Sequence, residues 1–136
     1  MINSRSLTDL TPDAVKWFER FRVKVEQELG MSYGFDWGVT STYRDQEFQN
    51  NLYEQGRTKP GKVVTWTRHS RHTARRAWDI VVKDKDGNLV WDVKADTNAD
   101  NIPDYKQLAG IGKSMGLHCG ADYGDWCHFE APEVVG

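Results

Sequence analysis

Ala77-Trp78-Asp79-Ile80-Val81-Val82 is a short apolar run with a carboxylate inside it, and Asp84-Lys85-Asp86-Gly87-Asn88 turns it back into Leu89-Val90-Trp91. An apolar run of this length, bounded by a turn of Asp, Gly and Asn, reads as a β-hairpin. A second hairpin is expected further on, where Leu117 to Gly120 returns as Trp126 to Glu130. Turning it about Tyr123 sets His118 opposite His128 and Cys119 opposite Cys127. Upstream, Phe35, Trp37 and Val39 alternate with Asp36 and Gly38. That is the period-two pattern of a half-buried strand, and it leads through Thr40-Ser41-Thr42-Tyr43 to Arg44.

Three helices surround these strands. Thr11 caps the first, Pro12 and Asp13 suit its opening turn, and Gly30 ends it, so the expected span is Pro12 to Leu29. Val15, Phe18, Phe21, Val25 and Leu29 recur at helical spacing and form one core-facing stripe. Asp45 to Gln55, with Phe48 and Leu52 four apart and Gly56 as the stop, is the second. Tyr105, Leu108, Ile111, Gly112 and Met115 mark a third that ends at Gly116. Helices and hairpins without alternating βαβ units define an α+β fold: a small antiparallel sheet built from hairpins with about three helices, in a single domain over residues 1–136.

Composition narrows the function. With 38% hydrophobic and 28% charged residues and a net charge of −2, the chain is globular and has no basic excess to draw it to nucleic acid. Its one basic cluster, Arg68, Arg71, Arg75 and Arg76, reads as a solvated loop or as one that meets an anionic ligand. No apolar run is long enough to span a bilayer, and the opening MINSRSLTDL has no signal-peptide core, so synthesis in the cytoplasm, a monomer and no stable membrane association are expected. Cys119 and Cys127 are too few for a disulfide framework and are expected to be reduced.

Chemistry concentrates at three places. Asp79 is an ionisable group in an apolar strand, which is costly unless it is paired or bound to metal. His72 stands seven residues before it, and His128 lies in Asp125-Trp126-Cys127-His128-Phe129-Glu130. Two imidazoles and a carboxylate with an open fourth position make a recognised catalytic zinc set. Spacing alone also permits a surface His72, an Asp79 salt-bridged to a nearby arginine, and a satisfied core His128. His118 is a weaker alternative to His128 as ligand, and His69 reads as loop surface. Asp96-Thr97-Asn98-Ala99-Asp100-Asn101 with Asp104 offers oxygens at several positions of a calcium loop, but Asn101 replaces its glycine and Gln107 its final glutamate. A solvated connection is the preferred reading, with calcium the lesser one.

Ser70-Arg71-His72-Thr73-Ala74-Arg75-Arg76-Ala77-Trp78-Asp79 resembles the S-x-H-x-x-G-x-A-x-D signature of the zinc D-Ala-D-Ala carboxypeptidases and L-alanyl-D-glutamate peptidases, the latter common as phage endolysins. Asp125 to Glu130 resembles that family's second signature, in which an acid stands three residues before the last zinc histidine. Tyr43-Arg44, Gln49, Leu52-Tyr53, Gly56 to Gly61 and Gly120 to Tyr123 continue the likeness in family order. Arg75 departs from it, standing where the family has a glycine, so either the loop is rebuilt or activity is impaired.

The resemblance implies a Hedgehog/DD-peptidase-like fold and one zinc ion on His72, Asp79 and His128. It also implies Asp125 as general base, Arg44 as oxyanion or carboxylate partner, and Ser70, with Gln49 as the weaker candidate, as a contact to substrate or to a ligand side chain. The implied activity is cleavage of peptidoglycan stem peptides, most simply by an endolysin L-alanyl-D-glutamate endopeptidase that waits in the cytoplasm until the membrane is breached. A D-Ala-D-Ala carboxypeptidase is the alternative enzyme, and a non-catalytic zinc module of the same fold is the alternative class.

Overall fold

The computed structural model describes residues 1–133 and places their helices where caps and apolar periodicity put them. Helix α1, Pro12–Leu29, starts at Thr11, whose hydroxyl accepts the Ala14 N–H, and stops at Gly30 in the left-handed conformation. Helix α2, Gln46–Glu54, is capped by Asp45 through the Phe48 N–H. Helix α3 spans Asp104–Ser114.

The strands are β1 (Trp37–Ser41), β2 (Ala77–Lys83), β3 (Leu89–Val90), β4 (His118–Cys119) and β5 (His128–Glu130). They form one antiparallel sheet in the order β1-β2-β5-β4, with β3 also paired to β2. β2 is therefore the strand on which the sheet is assembled.

Alternation along β2 divides the molecule into two faces. Trp78, Ile80 and Val82 are fully buried and pack with Phe18, Phe21 and Val25 of α1 and with Tyr105, Leu108 and Ile111 of α3. Rings of Phe18, Phe21, Trp37, Trp78 and Phe129 meet one another at centroid distances from 4.8 to 6.4 Å, within the range of favourable aromatic pairs. The Tyr105 hydroxyl accepts the Val82 N–H at 3.0 Å and donates to the Val90 carbonyl at 2.6 Å, tying α3 to both strands. Asp79 projects from the other face, which is how a carboxylate fits within an otherwise apolar strand.

Two strand expectations are corrected. Phe35 lies outside β1 and is 80% exposed, because a turn precedes the strand: the Asp36 carboxylate accepts the Ser32 N–H and Gly34 N–H donates to the Trp37 carbonyl. The last hairpin does not turn about Tyr123. Residues Gly120–Tyr123 coil into a 3-10 turn closed by Gly124 at φ 86°, so His118 pairs with Glu130 and Cys119 with Phe129. Arg44 is delivered beyond the end of β1, where residues 2–4 run alongside 42–45: Ser4 N–H donates to Tyr43, Thr42 N–H to Ser4 and Asp45 N–H to Ile2.

The Ser70–Arg76 loop is a chain of tight turns, with Thr73 and Ala74 N–H groups donating to the Ser70 carbonyl and Arg75 N–H to that of His72. Arg75 sits at φ 61°, so an arginine holds the left-handed backbone that the family resemblance assigns to glycine. Its guanidinium lies 3.8 Å over the Tyr43 ring and donates to the Asp9 carbonyl at 3.2 Å. Its own carbonyl accepts the N–H of Thr11, the cap of α1, at 3.0 Å. The other arginines of this basic cluster are also paired: Arg68 with Glu54, Arg71 with Glu130 and Glu133, Arg76 with Asp13. Arg75→Ala and Arg75→Gly both delete the stacking, but only alanine keeps the strained φ. The glycine variant is expected to be the more stable by about 1 kcal/mol, or roughly 3–5 °C in melting temperature. Equal melting of the two would mean that Arg75 stores no backbone strain.

Candidate metal and active site

Register brings the donors together. Asp79 of β2 is the cross-strand partner of His128 of β5, and the two side chains leave the sheet on the same face. Asp79 Oδ1 lies 2.9 Å from His128 Nδ1 and 3.2 Å from His72 Nε2. One ligand atom from each of the three residues fits within a 4.8 Å cluster. Among the described residues this is a group that can hold a metal ion.

The second nitrogen of each imidazole is already engaged. His72 Nδ1 lies 3.0 Å from the Thr42 carbonyl, which directs Nε2 at Asp79. His128 Nε2 lies 2.9 Å from Glu130 Oε1, which directs Nδ1 inward. Outer acceptors of this kind fix ring orientation and tautomer in metal centres. His72 itself is buried, and its N–H donates to the Ser70 hydroxyl at 3.1 Å.

Arg44 closes one side. Its Nη2 donates to Asp79 Oδ2 at 3.3 Å and its Nη1 approaches Gln49 Oε1 at 3.5 Å. Burial pulls its pKa down, opposed by the charges of Asp79 and Asp125. Gln49 is wholly buried behind it and donates to the Thr67 carbonyl at 2.7 Å. Gln49 thus contacts Arg44 and a loop and is not among the residues lining the cleft. Ser70, Arg44 and Asp125 do line it, together with the three donors, in an open cleft of about 850 Å³.

Asp125 reaches the cleft from the connection between β4 and β5. Its N–H donates to the Gly120 carbonyl at 2.8 Å and its carbonyl accepts from His128 N–H at 3.2 Å, closing the turn that sets both side chains. Burial and the nearby Asp79 charge raise the Asp125 pKa from its ordinary value, partly offset by His128. His69 also lines the cleft but is exposed, and His118 is exposed opposite Glu130. In the Asp96–Asp104 loop the carboxylates hold their own backbone: Asp96 accepts from Asn101 N–H, and buried Asp104 accepts from Thr97 N–H and hydroxyl.

Three supports escaped the sequence reading. Glu130 had a signal, because it lies two residues from His128 and so on the same strand face. Thr42 acts through its carbonyl, to which the side-chain pattern gives no clue. Gly120 has no room for a side chain: an added Cβ would lie 2.4 Å from the Asp125 carbonyl oxygen and 2.9 Å from His128 Cβ.

No family model matches the chain. A curated relative, the peptidoglycan L-alanyl-D-glutamate endopeptidase CwlK of Bacillus subtilis strain 168, is 36% identical over 99 residues, or 71% of this chain. The chain spans 58% of the length of that relative. Among solved structures, the Serratia marcescens L-Ala D-Glu endopeptidase ChiX superposes with a TM-score of 0.59 at 20% identity, covering 96% of this chain and 89% of that one.

Fold and site together define a small α+β domain with a two-histidine, one-aspartate metal-type cluster at the floor of an open cleft. The chain is similar in sequence to a peptidoglycan L-alanyl-D-glutamate endopeptidase over 71% of its length and shares the fold of another such enzyme.

Two predictions follow from the geometry. Without metal, burial opposes a charged His128, but hydrogen bonds to Asp79 and Glu130 outweigh it and raise its pKa to about 9. A raised histidine pKa stabilises fully below the unfolded value of about 6.5 and is lost as pH rises through the folded one. Denaturant titrations of the metal-stripped protein are therefore expected to show stability falling between about pH 6.5 and about 9, and a flat profile would contradict the His128 pairing. Gly120→Ala forces Asp125 and His128 apart and is expected to cost about 1–3 kcal/mol while weakening metal binding. Native stability and native metal affinity in that variant would show that the close approach is dispensable.

Proposed function

We propose that this chain is a zinc peptidase that hydrolyses the L-alanyl-D-glutamate bond of peptidoglycan stem peptides. One observation carries the reading: Asp79, His72 and His128 converge from separate segments on a cleft that also holds Asp125 and Arg44. The similarity to endopeptidases of that bond supports it.

Zinc fits the donors, because two imidazole nitrogens and a carboxylate oxygen fill three positions of a tetrahedron and leave one open. His72 would bind through Nε2, His128 through Nδ1 and Asp79 through Oδ1, the atoms left over once Thr42, Glu130 and Arg44 take their shares. When bound, the ion acts as a Lewis acid on the scissile carbonyl and lowers the pKa of water.

The chain's own residues do the rest. Asp125 accepts a proton from the attacking water and delivers it to the leaving amine nitrogen. Its raised pKa suits a group that must both take and return that proton. Arg44 stabilises negative charge on the carbonyl oxygen or holds a substrate carboxylate, with Gln49 and Asp79 fixing the guanidinium plane. Ser70 holds the backbone of the His72 turn and presents the rest of its hydroxyl to the cleft. In this reading the protein is made in the cytoplasm and works on the wall after the membrane is breached.

Asp125 serves proton transfer and not metal binding, so Asp125→Asn is expected to keep zinc and native melting yet lose about 10²–10⁴-fold in rate. His128→Ala is expected to lose both zinc and activity. Metal analysis and peptidoglycan turnover, measured on the same preparations, separate the two roles. An Asp125→Asn protein with most of its activity would sink the assignment.

A further inference from the structure

The cleft has a wall that the chemistry above does not use. Trp66 lines it while 84% exposed, and Val64 and Tyr123 line it beside the catalytic groups, Tyr123 at 74% exposure. One exposed ring is ordinary on a protein surface, but three exposed apolar or aromatic side chains lining one cleft form the kind of grouping that marks a contact surface.

The segment that carries Trp66 has no regular structure of its own, yet it is held carbonyl by carbonyl. Gln46 of α2 donates to the Arg68 carbonyl at 2.8 Å, Gln49 to that of Thr67 at 2.7 Å and Gln55 to that of Lys62 at 3.1 Å. Arg57 donates to the Thr65 carbonyl at 3.2 Å, with its guanidinium 3.9 Å over Tyr53 and 5.7 Å from the Trp66 ring. Side chains from or next to one helix thus fix a loop whose most prominent feature is an exposed indole. Pre-positioning an aromatic in this way reduces the ordering cost of binding.

We propose that Trp66 is a sugar-stacking subsite, which receives the pyranose ring to which the stem peptide is attached. The inference rests on the L-alanyl-D-glutamate reading. In peptidoglycan the L-alanine is joined through a lactyl group to the muramic acid sugar, so cutting after that alanine places the ring one residue from the reacting carbonyl. A cleft of about 850 Å³ is at the upper end of the roughly 300–1,000 Å³ of small-molecule sites, larger than two small residues require. The residues on either side of the cut bond offer a methyl group and a carboxylate, whereas the sugar ring presents a flat C–H face that matches an indole. The recognised substrate is therefore glycan-linked stem peptide in preference to free peptide.

The test compares zinc-loaded wild type, Trp66→Ala and Trp66→Phe on two substrates of one peptide sequence. One substrate is a disaccharide-linked muropeptide and the other is the free stem peptide. Wild type is expected to favour the muropeptide by about tenfold or more in kcat/KM, chiefly through KM. Trp66→Ala is expected to bring the ratio of the two substrates close to one, and Trp66→Phe to keep much of it, with zinc content the same in all three. A wild type without preference, or a Trp66→Ala ratio equal to wild type, overturns the subsite and leaves the peptidase reading standing. A zinc-loaded wild type that cuts neither substrate removes both.

Discussion

A carboxylate in the strand on which the rest of the sheet is assembled is the constraint that organises this molecule. Asp79 is flanked by Trp78 and Ile80, whose side chains lie in the core beneath α1 and α3. The pleat sends its own side chain to the opposite face, where burial without partners would cost several kcal/mol. Two imidazoles and a guanidinium supply those partners. Burial alone would push the Asp79 pKa up, but the hydrogen bonds and charges of His128 and His72 outweigh it and hold the carboxyl well below the usual range. The chemistry of the site and the solubility of a charge in the sheet are solved by the same contacts.

Those contacts also give the site an orderly outer layer. Thr42, Glu130 and Gln49 each satisfy a group that in turn faces the centre. His128 lies between two carboxylates, which favour its protonated form. Glu130 is held in turn by Arg71, and its pKa is lowered first by the His128 hydrogen bond, against the cost of burial.

How much of this was readable in the sequence depended on whether the information was local. Caps and stripes gave α1 its limits because Thr11 and Gly30 act on their own neighbours. Asp79 stood out because period two makes a misplaced charge visible. The family likeness supplied His72 and Asp125, which spacing alone left ambiguous. The turn between β4 and β5 was misjudged because a 3-10 turn uses more residues than a tight hairpin, moving the register by two. Nothing in the spacing shows that Gln49 is buried behind Arg44, and the supports at Thr42 and Gly120 work through backbone and empty space. Arg75 shows the opposite case, in which an improbable residue keeps a backbone conformation by stacking on Tyr43.

The wide separation of the donors has a consequence for how the protein is made. His72 and Asp79 emerge close together, but the third donor is 49 residues further on than Asp79. It reaches them only when β5 pairs with β2, after α3 has been threaded between. A nascent chain paused before β5 therefore holds two of the three donors and an unfinished sheet edge. Non-local pairing of this kind is slow relative to helix formation. Assembly of the three-donor cluster is thus coupled to completion of the sheet, and a ribosome-bound fragment ending before Asp125 carries neither the complete cluster nor that carboxylate.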